Sequence, residues 1–211
     1  IDRAENSVFQ IASDQVGQQI TTLKDLIQHT FEVLEQADGT EITGLKTGYH
    51  RFDDMTCGLQ PGQMIVLAAR PSMGKTSLLL NIAEYMGATD HAPIALFSLE
   101  MSKEQLANRL LASYARFDLQ SMRRGNIQTE DWTKLQHAAG ELEKAPIYID
   151  DSPELTVLQL RAKARRLKAA YDIKCVLVDY LQLMSYHGRA ENRQAQVGEM
   201  SRGLKALARE L

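Results

Sequence analysis

Residues 69–76 have the types and spacing that suit the binding of a nucleoside triphosphate. Their sequence, Ala-Arg-Pro-Ser-Met-Gly-Lys-Thr, follows the phosphate-loop pattern GxxxxGK[ST] except at its first position. Backbone N–H groups of such a loop, and of the helix that follows it, bind an anion together. The chain has Ala69 where the pattern has glycine, and Pro71 stiffens the loop. A chance match without any nucleotide is the alternative reading.

Side-chain chemistry assigns a role to the last residues of this loop. Gly74 lets the backbone approach a phosphate because glycine has no Cβ. Lys75 supplies positive charge for the β- and γ-phosphates, and Thr76 offers a hydroxyl to Mg²⁺, which prefers oxygen ligands. The loop therefore predicts ATP and Mg²⁺ as cofactors, with contacts from Ser72, Gly74, Lys75, Thr76 and Ser77.

Two carboxylates downstream suit the same site. Cys175-Val-Leu-Val-Asp179 is an apolar run that ends in aspartate, the form of a Walker B segment, and predicts that Asp179 reaches the Mg²⁺ shell through water. Phe97-Ser-Leu-Glu100 ends in a glutamate, which we expect to orient and deprotonate the attacking water. In the alternative reading, Glu100 only precedes a helix and interacts with its dipole.

A second acidic pair, Asp150 and Asp151, follows another apolar run. Adjacent carboxylates are compatible with a metal site. Because Ser152-Pro153 comes next, a helix-capping or turn role is the better interpretation.

The elements that must position these residues alternate along the chain. Short continuous apolar runs predict buried strands at 64–69, 93–98, 146–150 and 174–179. Helical spacing and capping boxes predict helices at 76–86, 102–114, 130–144, 156–171 and 195–211. This order is typical of an α/β fold with a mostly parallel sheet flanked by helices. Ligands of such sheets bind beyond the carboxyl ends of the strands, where Glu100 and Asp179 are expected to lie.

The first part of the chain is predicted to be a separate helical segment. Thr22 caps a run whose apolar residues share one helix face, namely Leu23, Leu26, Ile27, Phe31 and Leu34. A helix with such a stripe and no core of its own must pack on the main domain or on a neighbouring subunit. We expect a helical linker over 1–38 and an ATPase domain over 39–211, incomplete at its C-terminus.

Composition excludes several classes of protein. The 211 residues are 44% hydrophobic and 24% charged, which is ordinary for a globular domain. Cys57 and Cys175 show no metal-ligand spacing, so a structural zinc site is not expected and the reducing cytoplasm is the expected compartment. No apolar run reaches the ~18 residues that a membrane span needs. The net charge of −3 requires that any DNA-binding surface be local.

Two basic stretches are candidates for such a surface. The polar segment 185–194 contains Arg189 and Arg193, which can contact a DNA backbone, although a solvated surface loop is almost as good an interpretation. Segment 161–168 carries five basic residues on a predicted helix, and there a solvated face is the better reading: Arg161, Lys163, Arg165, Arg166 and Lys168.

Several of these stretches together resemble one family, the bacterial replicative DNA helicases of the DnaB type. They are the phosphate loop, Phe-Ser-Leu-Glu-Met-Ser at 97–102, Tyr-Ile-Asp-Asp at 148–151 and Val-Asp-Tyr-Leu-Gln-Leu-Met at 178–184. Two further stretches agree, Lys-Ala-Arg-Arg-Leu-Lys at 163–168 and Ser-Arg-Gly-Leu-Lys-Ala-Leu-Ala-Arg-Glu-Leu at 201–211. Alanine at the first loop position is itself common in that family.

The resemblance implies a RecA-like motor domain that works as a hexameric ring around single-stranded DNA. It implies 5′ to 3′ translocation and unwinding of the replication fork, with primase and a helicase loader as partners. Lys75 and Glu100 are then catalytic, Thr76 and Asp179 bind the metal, and Arg109 lies near the nucleotide. The early segment is similar to a linker whose helix docks on the adjacent subunit.

The resemblance also implies parts that these 211 residues do not contain. In the family, a γ-phosphate-sensing glutamine, a second DNA loop and an arginine finger come later in the chain. We therefore expect this fragment to bind nucleotide yet to hydrolyse it poorly. Two other functions stay open: a RecA-like ATPase that is no helicase, such as a recombinase or clock-type protein, and a nucleotide-gated loader or scaffold.

Overall fold

The computed structural model describes residues 22–36, 42–186 and 192–211. The chain separates into two compact units, 1–41 and 42–211. The predicted boundary between residues 38 and 39 falls outside the described residues. No helix in the described part of the chain is both long enough and apolar enough to cross a membrane.

Helix α1 of the first unit spans Leu23–Gln36. Its start follows the predicted cap, because the Thr22 hydroxyl oxygen accepts a hydrogen bond from the Asp25 backbone N–H at 3.2 Å. Four apolar side chains of its stripe are exposed, namely Leu23 at 71%, Leu26, Ile27 and Phe31 at 61%. Such a stripe is ready to pack against another surface.

The second unit is built on a three-stranded parallel sheet. Strand β1 (Ile94–Ser98) is central, and β2 (Ile147–Asp150) and β3 (Cys175–Asp179) lie on its two sides. In the register, Ser98 stands opposite Asp179. All five residues of β1 are buried, as expected for a strand that has a neighbour on each side and helices on both faces.

Seven helices of the described residues surround or extend this sheet. They are α2 (His50–Thr56), α3 (Lys75–Glu84), α4 (Lys103–Tyr114), α5 (Leu119–Arg124), α6 (Thr129–Leu142), α7 (Val157–Tyr171) and α8 (Arg193–Glu210). Helix α3 continues as a π-helical turn over Tyr85–Thr89. Strand β3 leads into a 3₁₀ turn at Leu181–Leu183. The short helices α2 and α5 were not predicted, since neither carries a long apolar periodicity.

Hydrophobic cores cover both faces of the sheet. On one face Ala95 and Phe97 pack with residues of α7 and α8, including Leu160 and Met200. On the other face Ile94 and Leu96 pack with residues of α3 and α4. Burying a side chain the size of Phe97 stabilises the fold by about 1.5–3 kcal/mol. This arrangement of helices on both faces of a parallel sheet confirms the predicted α/β class.

The predicted strand at 64–69 is wrong. Residues 63–70 have no strand structure, and Ile65, Val66 and Leu67 are 55%, 69% and 46% exposed. A continuous apolar run indicates that a segment favours burial, but a strand also needs a backbone ladder partner. Among the described residues β3 pairs only with β1, so the segment before the phosphate loop has no ladder.

Acidic partners among the described residues pair with four of the five basic residues of α7, all except Arg166. Glu210 at the end of α8 accepts hydrogen bonds from Arg161, at 2.7 Å, and from Arg165. Lys163 pairs with Asp150, and Lys168 pairs with Asp172. These pairs favour the interpretation that this helix face is structural rather than a DNA contact.

Asp150 and Asp151 each accept a hydrogen bond from a backbone N–H, local for Asp150 and 48 positions away for Asp151. Asp151 Oδ2 accepts from the N–H of Lys103, the first residue of α4, at 3.0 Å. Asp150 Oδ1 accepts from the Ser152 N–H at 3.0 Å. Both contacts agree with the capping and turn roles preferred from the sequence.

Candidate nucleotide-binding site

The phosphate loop runs directly into the first turn of α3. Gly74 has φ of 86°, a left-handed conformation in which a side chain is strained, and it precedes the first helical residue, Lys75. The first helical hydrogen bond runs from the Leu78 N–H to the Gly74 carbonyl at 2.9 Å. The N–H groups of residues 75–77 have no acceptor within the helix, so they form an anion-binding end with the helix dipole behind it.

The loop also contains Ser72 in a left-handed conformation, with φ of 63°. Ser72, Gly74 and Ser77 are exposed, whereas Lys75 and Thr76 are half-buried. The loop is therefore open to solvent from Ala69 to Gly74, whereas Lys75 and Thr76 are partly covered by the protein.

Thr76 and Asp179 meet at the carboxyl edge of the sheet. The Thr76 hydroxyl donates to Asp179 Oδ2 at 2.8 Å, although 103 positions separate the two residues. Asp179 is only 4% exposed. A buried carboxylate is costly unless it is hydrogen-bonded or paired with a cation. The hydroxyl beside it is a second hard oxygen ligand, so these two side chains fit an Mg²⁺ ion.

The sheet register brings Glu100 to the same edge. Ser98 is the register partner of Asp179, and Glu100 follows Ser98 by two residues. The turn between them is held because Ser98 Oγ donates to the Met101 carbonyl at 2.8 Å and accepts from the Met101 N–H. Glu100 is exposed there.

Arg109 lies on α4, on the side of the site that faces α3. Its Nε is buried and has no acceptor among the described residues. Arg109, Ser77 and Ser113 are part of the lining of a pocket of about 220 Å³ between the two helices. An unpaired guanidinium nitrogen in a pocket suits an acceptor-rich ligand.

Tyr180 is a candidate site residue to which the sequence patterns assigned no role. Lys75 Nζ lies 4.5 Å from the centroid of the Tyr180 ring, within cation–π distance. Tyr180 directly follows Asp179 at the end of β3. That position was the available signal, because residues just beyond a parallel strand line the binding edge.

Of the two predicted DNA contacts, Arg189 and Arg193, the structure describes only Arg193. Arg189 lies outside the described residues. Arg193 begins α8, and its guanidinium donates to the Gln182 carbonyl and, at 2.9 Å, to Gln196 Oε1. Some N–H donors of Arg193 are therefore used in hydrogen bonds within the chain. DNA binding by Arg193 stays a prediction.

Comparisons with known proteins identify the family of this chain. Residues 44–211 match the family described as DnaB-like helicase C terminal domain. The chain is 43% identical to the replicative DNA helicase DnaB of Geobacillus stearothermophilus and 42% identical to the replicative DNA helicase DnaC of Bacillus subtilis (strain 168). Both alignments cover all of this chain and 47% of the relative, so the chain spans about half the length of these relatives.

Two solved structures are similar in fold and in sequence. One is an isolated ATPase domain, with a TM-score of 0.84 and 33% identity over 91% of this chain and 68% of that one. The other is a DnaB-like replicative helicase described with its interactions with primase. It has a TM-score of 0.80 and 33% identity over 91% of this chain and 46% of that one.

Proposed function

The chain belongs to the DnaB-like helicase C-terminal domain family, and from that premise we propose that it is part of the ATP-hydrolysing motor of a replicative DNA helicase. Its α/β fold is RecA-like, as in the ATPase domain to which it is similar. In this proposal the whole protein is a cytoplasmic hexameric ring that translocates 5′ to 3′ on single-stranded DNA and unwinds duplex at the replication fork.

One contact carries the assignment of the nucleotide site. The hydrogen bond of 2.8 Å between Thr76 and Asp179 joins the phosphate loop to the Walker B strand. The loop supplies N–H groups and a lysine for an anion, and the strand supplies a buried carboxylate for a cation. A triphosphate with its divalent ion requires both at one place.

The residues present fit ATP and Mg²⁺. Thr76 and Asp179 hold the ion, directly or through water, and the bound ion neutralises charge on the phosphates. Lys75 contributes a point charge beside the β- and γ-phosphates. Ser72, Gly74 and Ser77 complete the phosphate contacts, and the pocket at Arg109 lies next to them.

Glu100 is the proposed general base. Its exposed carboxylate at the strand edge is free to hold the attacking water and to take its proton. Lys75 then stabilises negative charge that develops on the transferred phosphoryl group.

The proposed partners are single-stranded DNA, further copies of the chain, primase and a helicase loader. The exposed apolar stripe of α1 supports a contact with a neighbouring copy, because a helix with such a stripe is stable when the stripe is covered. Arg189 and Arg193 are the proposed DNA contacts in this half of the protein.

Strand displacement on a forked duplex tests the function, with Lys75→Ala in the whole protein as the decisive variant. Loss of a charge-assisted phosphate contact lowers ATP affinity or turnover by roughly 10- to 100-fold, so unwinding at limiting ATP should slow by a similar factor. Lys144→Ala is the matched control, because Lys144 is exposed and pairs only locally with Glu141. It should unwind like the parent.

The outcomes separate the competing functions. ATP hydrolysis without strand displacement by the parent would favour a recombinase or clock-type ATPase. Nucleotide binding without any hydrolysis would favour a loader or scaffold. Unwinding by Lys75→Ala at the rate of the parent would contradict the proposed site.

A further inference from the structure

Two consecutive residues of the phosphate loop contact the last residue of strand β3 and the residue that directly follows it. Thr76 donates its hydroxyl to Asp179, and the neighbouring Lys75 places its ammonium over the ring of Tyr180. Asp179 belongs to the metal site described above. Tyr180 has no role in it so far, although it contacts the side chain on which phosphate binding depends.

The physical character of this contact leaves the lysine able to bind phosphate. An ammonium over an aromatic face is attracted by the ring quadrupole and not by a lone pair. The ring lies on one side of the ammonium, so N–H donors of Lys75 that point away from it stay available for phosphate oxygens. A lysine side chain otherwise has a flexible four-carbon stem, and ordering it on binding costs conformational entropy.

We propose that Tyr180 is a positioning residue, whose ring orders the Lys75 ammonium at the carboxyl edge of the sheet before the triphosphate binds. This inference rests on the proposed nucleotide site and deepens it. A ring that has already ordered the lysine reduces the entropy lost on binding, and nucleotide affinity increases accordingly.

The surrounding backbone allows the ring to be changed without disturbing the strand. The Asp179 carbonyl accepts from the Leu99 N–H at 2.7 Å, and the Tyr180 carbonyl accepts from the Leu183 N–H at 3.0 Å. Main-chain groups therefore hold the position of Tyr180, and its side chain is only half-buried. Replacing the Tyr180 side chain beyond Cβ therefore affects its contact with Lys75 more than the backbone of the strand.

The test uses the whole protein with Tyr180→Phe and Tyr180→Leu, each in the parent and in a Lys75→Met background. Affinity for Mg²⁺·ADP and Mg²⁺·ATPγS is measured by calorimetry. Tyr180→Phe keeps the ring face and should bind within about twofold of the parent, whereas Tyr180→Leu should bind roughly three- to tenfold more weakly. In the Lys75→Met background the two variants should bind alike, since the partner of the ring is gone.

A second readout applies even if the Lys75→Met background binds too weakly to measure. In nucleotide-free protein whose lysines carry ¹³C-methyl groups, the Lys75 resonance is assigned by its loss in Lys75→Met. It should be shifted by the ring in the parent and in Tyr180→Phe, and should move to an ordinary position in Tyr180→Leu.

The inference is overturned if Tyr180→Leu binds nucleotide as tightly as the parent, or loses the same factor without Lys75. An unshifted Lys75 resonance in the parent overturns it as well. These failures are distinct from failure of the proposed function, in which the parent itself would bind neither nucleotide.

Discussion

At the scale of single residues, the site depends on side chains that are brought to one edge by separate strands. Asp179 stops at the end of β3, Ser98 stands opposite it in β1, and Glu100 lies two residues further. The hydroxyl of Thr76 closes the set from the side of the phosphate loop. Because Glu100, Asp179 and Thr76 come from three different segments, each of these three can be changed without altering the backbone of the other two.

Glu100→Gln should separate binding from hydrolysis. The amide cannot take a proton from water, so ATP turnover by the whole protein should fall by roughly 10²- to 10⁴-fold while nucleotide affinity stays the same. Steady-state phosphate release and calorimetric titration with ATP measure the two quantities. If binding and turnover are both unchanged, Glu100 is not the general base.

At the scale of elements, close packing and buried charge decide how the phosphate-loop helix α3 is held. Its π-helical continuation presses Gly87 against β2, where an added Cβ would lie 2.4 Å from Ile147 Cγ1. Further back, Glu84 on α3 has a buried Oε2 with no partner among the described residues. The absence of a side chain at Gly87 permits tight contact between this turn and the sheet. The buried carboxylate oxygen of Glu84 without a partner destabilises the packing of α3.

Gly87→Ala should destabilise the protein by about 1–3 kcal/mol, because the new methyl forces Ile147 to move within a packed core. Gly140→Ala is the matched control. Gly140 lies inside α6 and an added Cβ there meets nothing within 4 Å, so alanine should be neutral or stabilise by up to about 1 kcal/mol. Urea unfolding measures both variants, and equal midpoints would contradict the prediction.

Glu84 should give stability a characteristic pH dependence. Burial raises the pKa of its carboxyl above the ordinary value, and a hydrogen bond to Ser113 offsets this only in part. A raised folded-state pKa contributes stability that is complete below the unfolded pKa and is lost as the pH rises through the folded pKa.

Glu84→Gln should therefore raise the melting temperature at pH 8, by about 1–2 °C for a half-exposed group, and have almost no effect at pH 4. Glu104→Gln is the control with the opposite sign, because hydrogen bonding to Ser102 lowers the pKa of Glu104. Thermal melts at the two pH values measure the effect. If Glu84→Gln lowers the melting temperature at pH 8, the prediction for Glu84 is wrong.

At the scale of the whole molecule, the chain consists of two units that differ in how their apolar side chains are covered. The unit over 42–211 has cores on both faces of its sheet. The unit over 1–41 contains α1, in whose apolar stripe Leu23, Leu26, Ile27 and Phe31 are exposed. In the proposed ring this stripe docks on a neighbouring copy, so assembly and the stability of the ATPase unit are separate properties.

Replacing Leu26 and Phe31 together by serine should weaken assembly of the whole protein by at least about tenfold, because each loses the burial of a large apolar side chain. Gln28→Ser, on the same helix, should leave assembly unchanged. Sedimentation velocity over a range of concentrations measures the distribution of species. Identical distributions for both variants would remove α1 from the subunit contact.

Local features of the sequence were sufficient for much of the fold. The capping boxes Ser102–Gln105 and Thr156–Gln159 begin α4 and α7 as predicted, since a cap depends only on residues within one helical turn. The apolar runs of β1, β2 and β3 were predicted to within a residue or two for a similar reason. Order along the chain then indicated a parallel sheet and placed Glu100 and Asp179 at its carboxyl edge.

What the sequence by itself determined is thus the chemistry of the phosphate loop and the class of fold that carries it. Tertiary structure alone decided whether 64–69 finds a ladder partner, how near Thr76 comes to Asp179, and that the Tyr180 ring lies over Lys75. Those outcomes depend on strand register and on side chains far apart in the chain. Loop patterns and helix caps depend on residues that are close together in the chain, so they can be predicted from the sequence.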